Sequence, residues 1–241
     1  MYRDEAMKAL RPLNSVKGFT LIELLVVIAI IGLLAAMLLP ILATINQREM
    51  KGRAKAQITA LVAAINQYQA TYGRLPASSA VRANAEAAND DYTYGDNSEL
   101  MAILLDLETF RNGQPTINKG HIYNPQCQVM LEISSTSTTG APGLGPDGVY
   151  RDPWGNPYVI SLDLNGDGKC KDSVYCYQAV SQQNGQTGFN GLFNATDANG
   201  AGNNFLFSGK VMVWSIGPDK NVTRTTSANS RPNQDNIVSW K

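Results

Sequence analysis

The chain has 241 residues, and its 20 Lys and Arg balance 20 Asp and Glu to a formal net charge of zero. That balance leaves no electrostatic footprint for nucleic acid, and no nucleic-acid partner is expected. The length suits one domain or a small pair, and three cysteines, Cys127, Cys170 and Cys176, allow one disulfide with one thiol left over in an oxidising compartment.

The first 18 residues carry Arg3, Lys8, Arg11 and Lys17 against Asp4 and Glu5. A basic flank ahead of an apolar run favours a cytoplasmic N-terminus and sends the remainder across the membrane. Pro12 and Asn14-Ser15 discourage a helix continuous with that run. Lys17-Gly18 suits an extended, protease-accessible backbone. From Leu21 to Leu39 the sequence is apolar, with Glu23 its single charge. This length just suffices to cross a bilayer as a helix, and a carboxylate inside such a run marks a functional site by default. Pro40 is expected to kink or locally unravel the helix, and Gly32 permits close approach of another helix.

The segment KGFTLIELLVVIAIIGLLAAMLLP, Lys17 to Pro40, resembles the class III signal sequence of the type IV pilin and type II secretion pseudopilin superfamily. The resemblance implies a leader over residues 1–18, cut between Gly18 and Phe19 by a prepilin peptidase that also methylates the new amino group of Phe19. It implies a transmembrane and filament-core helix over 19–42 and a periplasmic pilin-like domain over 43–241. It also implies that Glu23 guides assembly by pairing with the methylated amine of Phe19 on a neighbouring copy.

Beyond Pro40 the pattern becomes amphipathic. Ile58, Leu61, Val62, Ile65, Tyr68 and Tyr72 recur at spacings of three and four and predict one helical stripe, ending near Gly73 and Pro76. Residues 77–97 read as a polar linker containing a short helix. A second helix is predicted from Ser98, as its cap, to about Phe110. Gln128–Ile133 reads as a strand and 134–148 as a loop. Tyr158–Leu164, Val174–Val180 and Lys210–Ile216 read as strands, and the Gly- and Asn-rich stretch 181–209 as a long loop. The sum is an α+β fold, a long N-terminal helix packed on a small C-terminal antiparallel sheet.

Asp152-Pro153-Trp154-Gly155-Asn156-Pro157-Tyr158 is physically a rigid double turn, since two prolines fix φ while Gly155 and Asn156 accept turn geometry. It is read as a folding staple, and Trp214 and Trp240 as core anchors. The same seven residues, with Val213–Asn221 and Asp235–Trp240, resemble signature elements of the major, G-type pseudopilin of type II secretion systems. Asp163-Leu164-Asn165-Gly166-Asp167-Gly168-Lys169 spaces oxygen donors like the early half of a calcium loop, with Lys169 offering its carbonyl. The twelfth position is Val174 rather than Glu, so Asp172 or a distant group must complete a Ca2+ site. By resemblance, Asp219 and Asp235 join the ligand set. Cys170 and Cys176 are expected to pair, with Cys127 as a competitor for either. A zinc site is not expected around the lone His121, and no catalytic constellation suggests an enzyme.

The resemblance implies a structural subunit of a type IV pilus-like filament, specifically a major-type pseudopilin. The alternatives are a type IV pilin or DNA-uptake pilin, or a minor pseudopilin. Its implied partners are further copies of itself, the prepilin peptidase/methyltransferase, an inner-membrane assembly platform, other pseudopilins, and membrane lipid before assembly. Its implied location is the bacterial inner membrane, single-pass, and then a filament spanning the periplasm.

Overall fold

The computed structural model describes residues 18–240, apart from the side chains of residues 40, 41 and 43. Residues 1–17 of the expected leader lie outside the described residues. The chain divides into two compact units, 1–47 and 48–241.

In the first unit, helix α1 (Leu21–Tyr72) begins. It is long and apolar enough to cross a membrane once. Its described large apolar side chains between Leu21 and Ile45 are exposed, Leu33 at 60 %. The backbone stays helical through position 40, so the expected unravelling at Pro40 does not occur.

In the second unit, the rest of α1 turns its stripe inward, with Ile58, Leu61, Ile65 and Tyr68 almost fully buried. Then follow α2 (Ser79–Ala88), β1 (Tyr92–Tyr94), α3 (Ser98–Leu104), β2 (Gly143–Leu144), β3 (Tyr150–Arg151) and β4 (Val159–Leu162). The chain continues through α4 (Gln178–Ser181), β5 (Gln182–Asn184), β6 (Thr187–Gly188), β7 (Phe193–Asn194), β8 (Phe205–Leu206), β9 (Val211–Ser215) and β10 (Ile237–Val238). The central sheet has the order β1-β4-β9-β10, and all its pairings are antiparallel. Val159 faces Trp214 and Leu162 faces Val211 in its middle.

Successive strand side chains point to opposite faces, and here each face has its own core. Ile160, Leu162, Val211 and Val213 join the helix stripe. Val159, Met212 and Trp214 join a second cluster with Tyr175, Val180, Phe205 and Trp240. The sheet is therefore covered on both sides, by α1 and by the region 170–209.

Several expectations are corrected. Residues 77–97 contain the expected short helix, α2, but also an edge strand of the central sheet in place of plain linker. The cap of α2 is Ser78, whose Oγ accepts from Val81 N at 3.3 Å. Helix α3 ends at Leu104 rather than near Phe110. Asp106 takes a left-handed φ of 54°, and Leu107 N donates back to Ala102 O at 2.9 Å, a Schellman stop. Ser98 is not its cap: Asn97 stands there without a side-chain capping bond. Gln128–Ile133 forms no strand, although Met130 and Leu131 are buried and Met130 N bonds Leu104 O. Val174–Val180 is turn and helix rather than strand, because Asp172 folds the chain back by accepting from both Val174 N and Tyr175 N. The supposed loop 181–209 builds a sheet of its own, β5-β6-β7-β8.

Candidate functional site

At the head of α1, Thr20 N and Thr20 Oγ1 donate to Glu23 Oε2 at 2.8 and 2.7 Å, while Glu23 N donates back to Thr20 Oγ1 at 3.3 Å. This is a capping box, in which the threonine and the third helical residue satisfy each other's free groups. The T-x-x-E spacing was legible in the sequence. Among the described residues nothing charged neutralises Glu23; its oxygen is held by one hydroxyl and one amide at an exposed helix end. Phe19 beside it is 77 % exposed. Gly18 has open space around its backbone.

The double turn at 152–158 is built around Asp152, whose carboxylate is buried. Its Oδ1 accepts from Trp154 N and Asn156 N, both at 2.9 Å. Its Oδ2 accepts from Ser215 Oγ at 2.6 Å and Asn156 Nδ2 at 3.1 Å. Asn156 Nδ2 also reaches Gly217 O, so the turn is bolted to the end of β9. Gly155 has a φ of 88°, and a Cβ there would sit 2.3 Å from Gly140 O. Pro157 pairs with Arg151 across the turn that Pro153 opens. Trp154 is half-buried. Tyr158 OH donates to Gln57 Oε1 on α1 at 2.6 Å. Asn97, unremarked in the sequence, bridges Tyr150 and Tyr158 by three bonds. Trp240 is buried edge-on against Tyr175, at 4.9 Å between ring centroids.

The seven expected calcium ligands do not come together. Asp172 is fully buried and committed to Ser161 Oγ, Trp214 Nε1 and two backbone amides. Asp163 follows β4 and lies beside the start of β9, its amide bonding Lys210 O. Asp219 and Asp235 lie past the other end, where Asp219 N meets Asp235 Oδ2 at 3.4 Å. The five-residue strand between them spans roughly 16 Å, whereas ligands of one calcium ion lie about 2.3–2.6 Å from it. One ion cannot hold both groups.

The loop itself closes Asx turns. Gly166 N and Gly168 N donate to Asp163 Oδ1 and Oδ2, Asp167 N to Asn165 Oδ1, and Lys169 N to Asp167 Oδ1. Arg74, Arg82 and Lys210 line the cleft beside Asp163 and oppose a cation on that face. Asp91 was missed by sequence reasoning. Its Oδ2 accepts from Lys171 N at 2.7 Å and its Oδ1 is buried without a partner. Burial first, then the charges of Asp163 and Asp167, push its carboxyl up to about 7. At the other end, burial and Asp219 raise Asp235, whose Oδ1 is also buried and unpartnered.

The expected Cys170–Cys176 bridge is not formed: both thiols are free and buried, and Cys127 is free and exposed. Cys170 exchanges backbone bonds with Phe207, while Cys176 O accepts from Phe205 N, so the two are tied to different rungs of the neighbouring segment. Burial pushes the Cys176 thiol up to about 11.

Residues 13–39 match the family model described as the prokaryotic N-terminal methylation motif. The chain is similar to the fimbrial protein EcpC of Eikenella corrodens, 40 % identical over 76 residues, which cover 32 % of this chain and 50 % of that protein. The chain therefore spans about half the length of the curated relative it matches. No solved structure matches the chain. The methylation motif, the fimbrial likeness and a long apolar helix leading into antiparallel sheets are features in which the chain is similar to the type IV pilin and pseudopilin superfamily.

Proposed function

We propose that the protein is a structural subunit of a type IV pilus-like filament, and more narrowly a major-type pseudopilin of a type II secretion system. The observation that carries the filament reading is Glu23 at the head of an apolar helix half whose described side chains stay exposed among the described residues. Before assembly, lipid covers that surface, with the N-terminus cytoplasmic and the second unit periplasmic. During assembly, an inner-membrane platform adds copies whose helices bundle. Glu23 then leaves its Thr20 partners for the methylated amine of Phe19 on a neighbour, once prepilin peptidase has cut after Gly18. A buried ion pair adds little net stability, but a missing partner is strongly penalised, so the pair acts as a register check.

The Asp152–Tyr158 staple and the Asp235–Trp240 terminus support the pseudopilin reading. The fimbrial relative favours a pilus instead. Neighbouring genes for a secretion ATPase and a secretin support the first, and a retraction ATPase the second. Calcium belongs to the pseudopilin reading too, and Asp163, Asn165 and Asp167 with Asp91 beside them are the oxygens that would hold it. A bound ion there would neutralise the crowded carboxylates and stiffen the turn.

Glu23→Ala tests the mechanism. Membrane insertion and cleavage before Phe19, read by mass spectrometry, are expected to persist, while filament yield collapses. Normal yield from the variant sinks the pairing mechanism.

A further inference from the structure

We propose that Asp106, His121 and Cys127 form a binding site for a borderline transition-metal ion, with zinc the expected occupant. The chain's single histidine and its one exposed cysteine meet a carboxylate here, although the three lie on separate turns. One ligand atom from each lies within 4.8 Å of the others. His121 Nδ1 is 2.8 Å from Asp106 Oδ1. Zinc bonds of about 2.0–2.3 Å in tetrahedral array need ligand atoms about 3.3–3.7 Å apart, so small side-chain shifts admit the ion.

The surroundings resemble those of a metal histidine. Glu108 Oε1 sits 3.3 Å from His121 Nε2, and Glu108 Oε2 accepts from Gly120 N at 2.8 Å. A carboxylate on the far ring nitrogen holds the proton there and leaves Nδ1 as the ligand. Behind the three groups stand two fully buried asparagines. Asn118 Nδ2 donates to Asp106 Oδ1 at 3.0 Å, and its Oδ1 accepts from Tyr123 N and Asn124 N. Asn124 in turn bonds Ile103 O, Gln128 O and Tyr72 OH. The ligands are thus carried on a braced frame that reaches α1.

Ligand chemistry selects the ion. Sulfur and imidazole suit zinc and its neighbours and are poor donors for calcium or magnesium. Three protein ligands, with the His121 side chain 36 % exposed, leave a fourth position open to water. Two carboxylates around one histidine and one thiol give the site the negative surplus that a divalent cation relieves. The ion would clasp residues 106–127 into one closed loop against the distal end of α1. The proposal departs from the expectation that no zinc site forms around the lone His121.

The full-length protein in detergent, kept reduced, is titrated with cobalt(II) in place of zinc. A near-ultraviolet thiolate-to-cobalt charge-transfer band with four-coordinate visible bands is expected, and zinc displaces both. Cys127→Ser is expected to abolish the charge-transfer band while far-ultraviolet circular dichroism is unchanged. Glu108→Gln should keep the band but weaken affinity about 10- to 100-fold. No charge-transfer band at excess cobalt overturns the site, as does a band that survives in Cys127→Ser, which would assign the sulfur to Cys170 or Cys176. Unchanged affinity in Glu108→Gln overturns the orienting role of Glu108.

Discussion

Leu33 and Leu61 belong to one helix, yet the first is 60 % exposed and the second is fully buried. Helix formation is local and suits both stretches, but burial needs something to pack against. Residues 48–241 supply their own partners in two cores, one on each face of the central sheet. Residues 21–45 have none among the described residues. At about 25 cal/mol per Å² of apolar surface, an unburied helix half of this kind drives lipid or self-association strongly. The contrast separates what stabilises the fold from what drives assembly.

Three experiments sharpen it. The largest effect is expected from Asp152→Ala, which strands the Ser215 hydroxyl, the Asn156 amide and two backbone N–H groups in a buried site. Denaturation of the second unit should show a loss of about 3–5 kcal/mol with membrane insertion unaffected. A loss under about 1 kcal/mol would mean the turn is held by its prolines alone. Next, Leu61→Ala should cost about 2–5 kcal/mol. Leu33→Ala should leave the same transition within about 0.5 kcal/mol while lowering filament yield. Equal destabilisation by both would dissolve the distinction between the two helix halves.

The third experiment concerns calcium. At roughly a hundredfold excess over its dissociation constant, it should stabilise the second unit by about 2.7 kcal/mol against chelator. Asp163→Ala or Asp167→Ala should remove this response, while Asp235→Ala, at the other end of β9, should not. The reverse pattern would move the ion to the Asp219–Asp235 end. No change in melting temperature with any of them would leave the loop as a turn only.

Much of this was legible in the chain. The 3.6-residue stripe from Ile58 to Tyr72 and the alternation in 159–162 and 211–215 are properties of near neighbours. The double turn at 152–158 depends on residues within a few positions of one another. Even the Thr20–Glu23 capping box was present as a spacing. The Cys170–Cys176 expectation failed because spacing says nothing about how the backbone between two thiols is tied down. Loop composition likewise hid β5–β8, since Gly and Asn permit turns without forbidding the short strands between them.

Helix α1, its change from apolar to amphipathic beyond position 40, the two long strands and the methylation motif are readable from the residues alone, because each rests on local periodicity or a contiguous signature. The covering of the sheet on both faces and the role of Asp172 as a core fastener emerge only once the chain is folded. So do the separation of the Asp163 and Asp235 ends by a strand and the convergence of Asp106, His121 and Cys127. Those facts depend on where the chain returns after long excursions, and on left-handed turns at Asp106, His121 and Cys127 that no residue type there announces. Local propensities cannot encode a meeting of residues that only the packed core brings together.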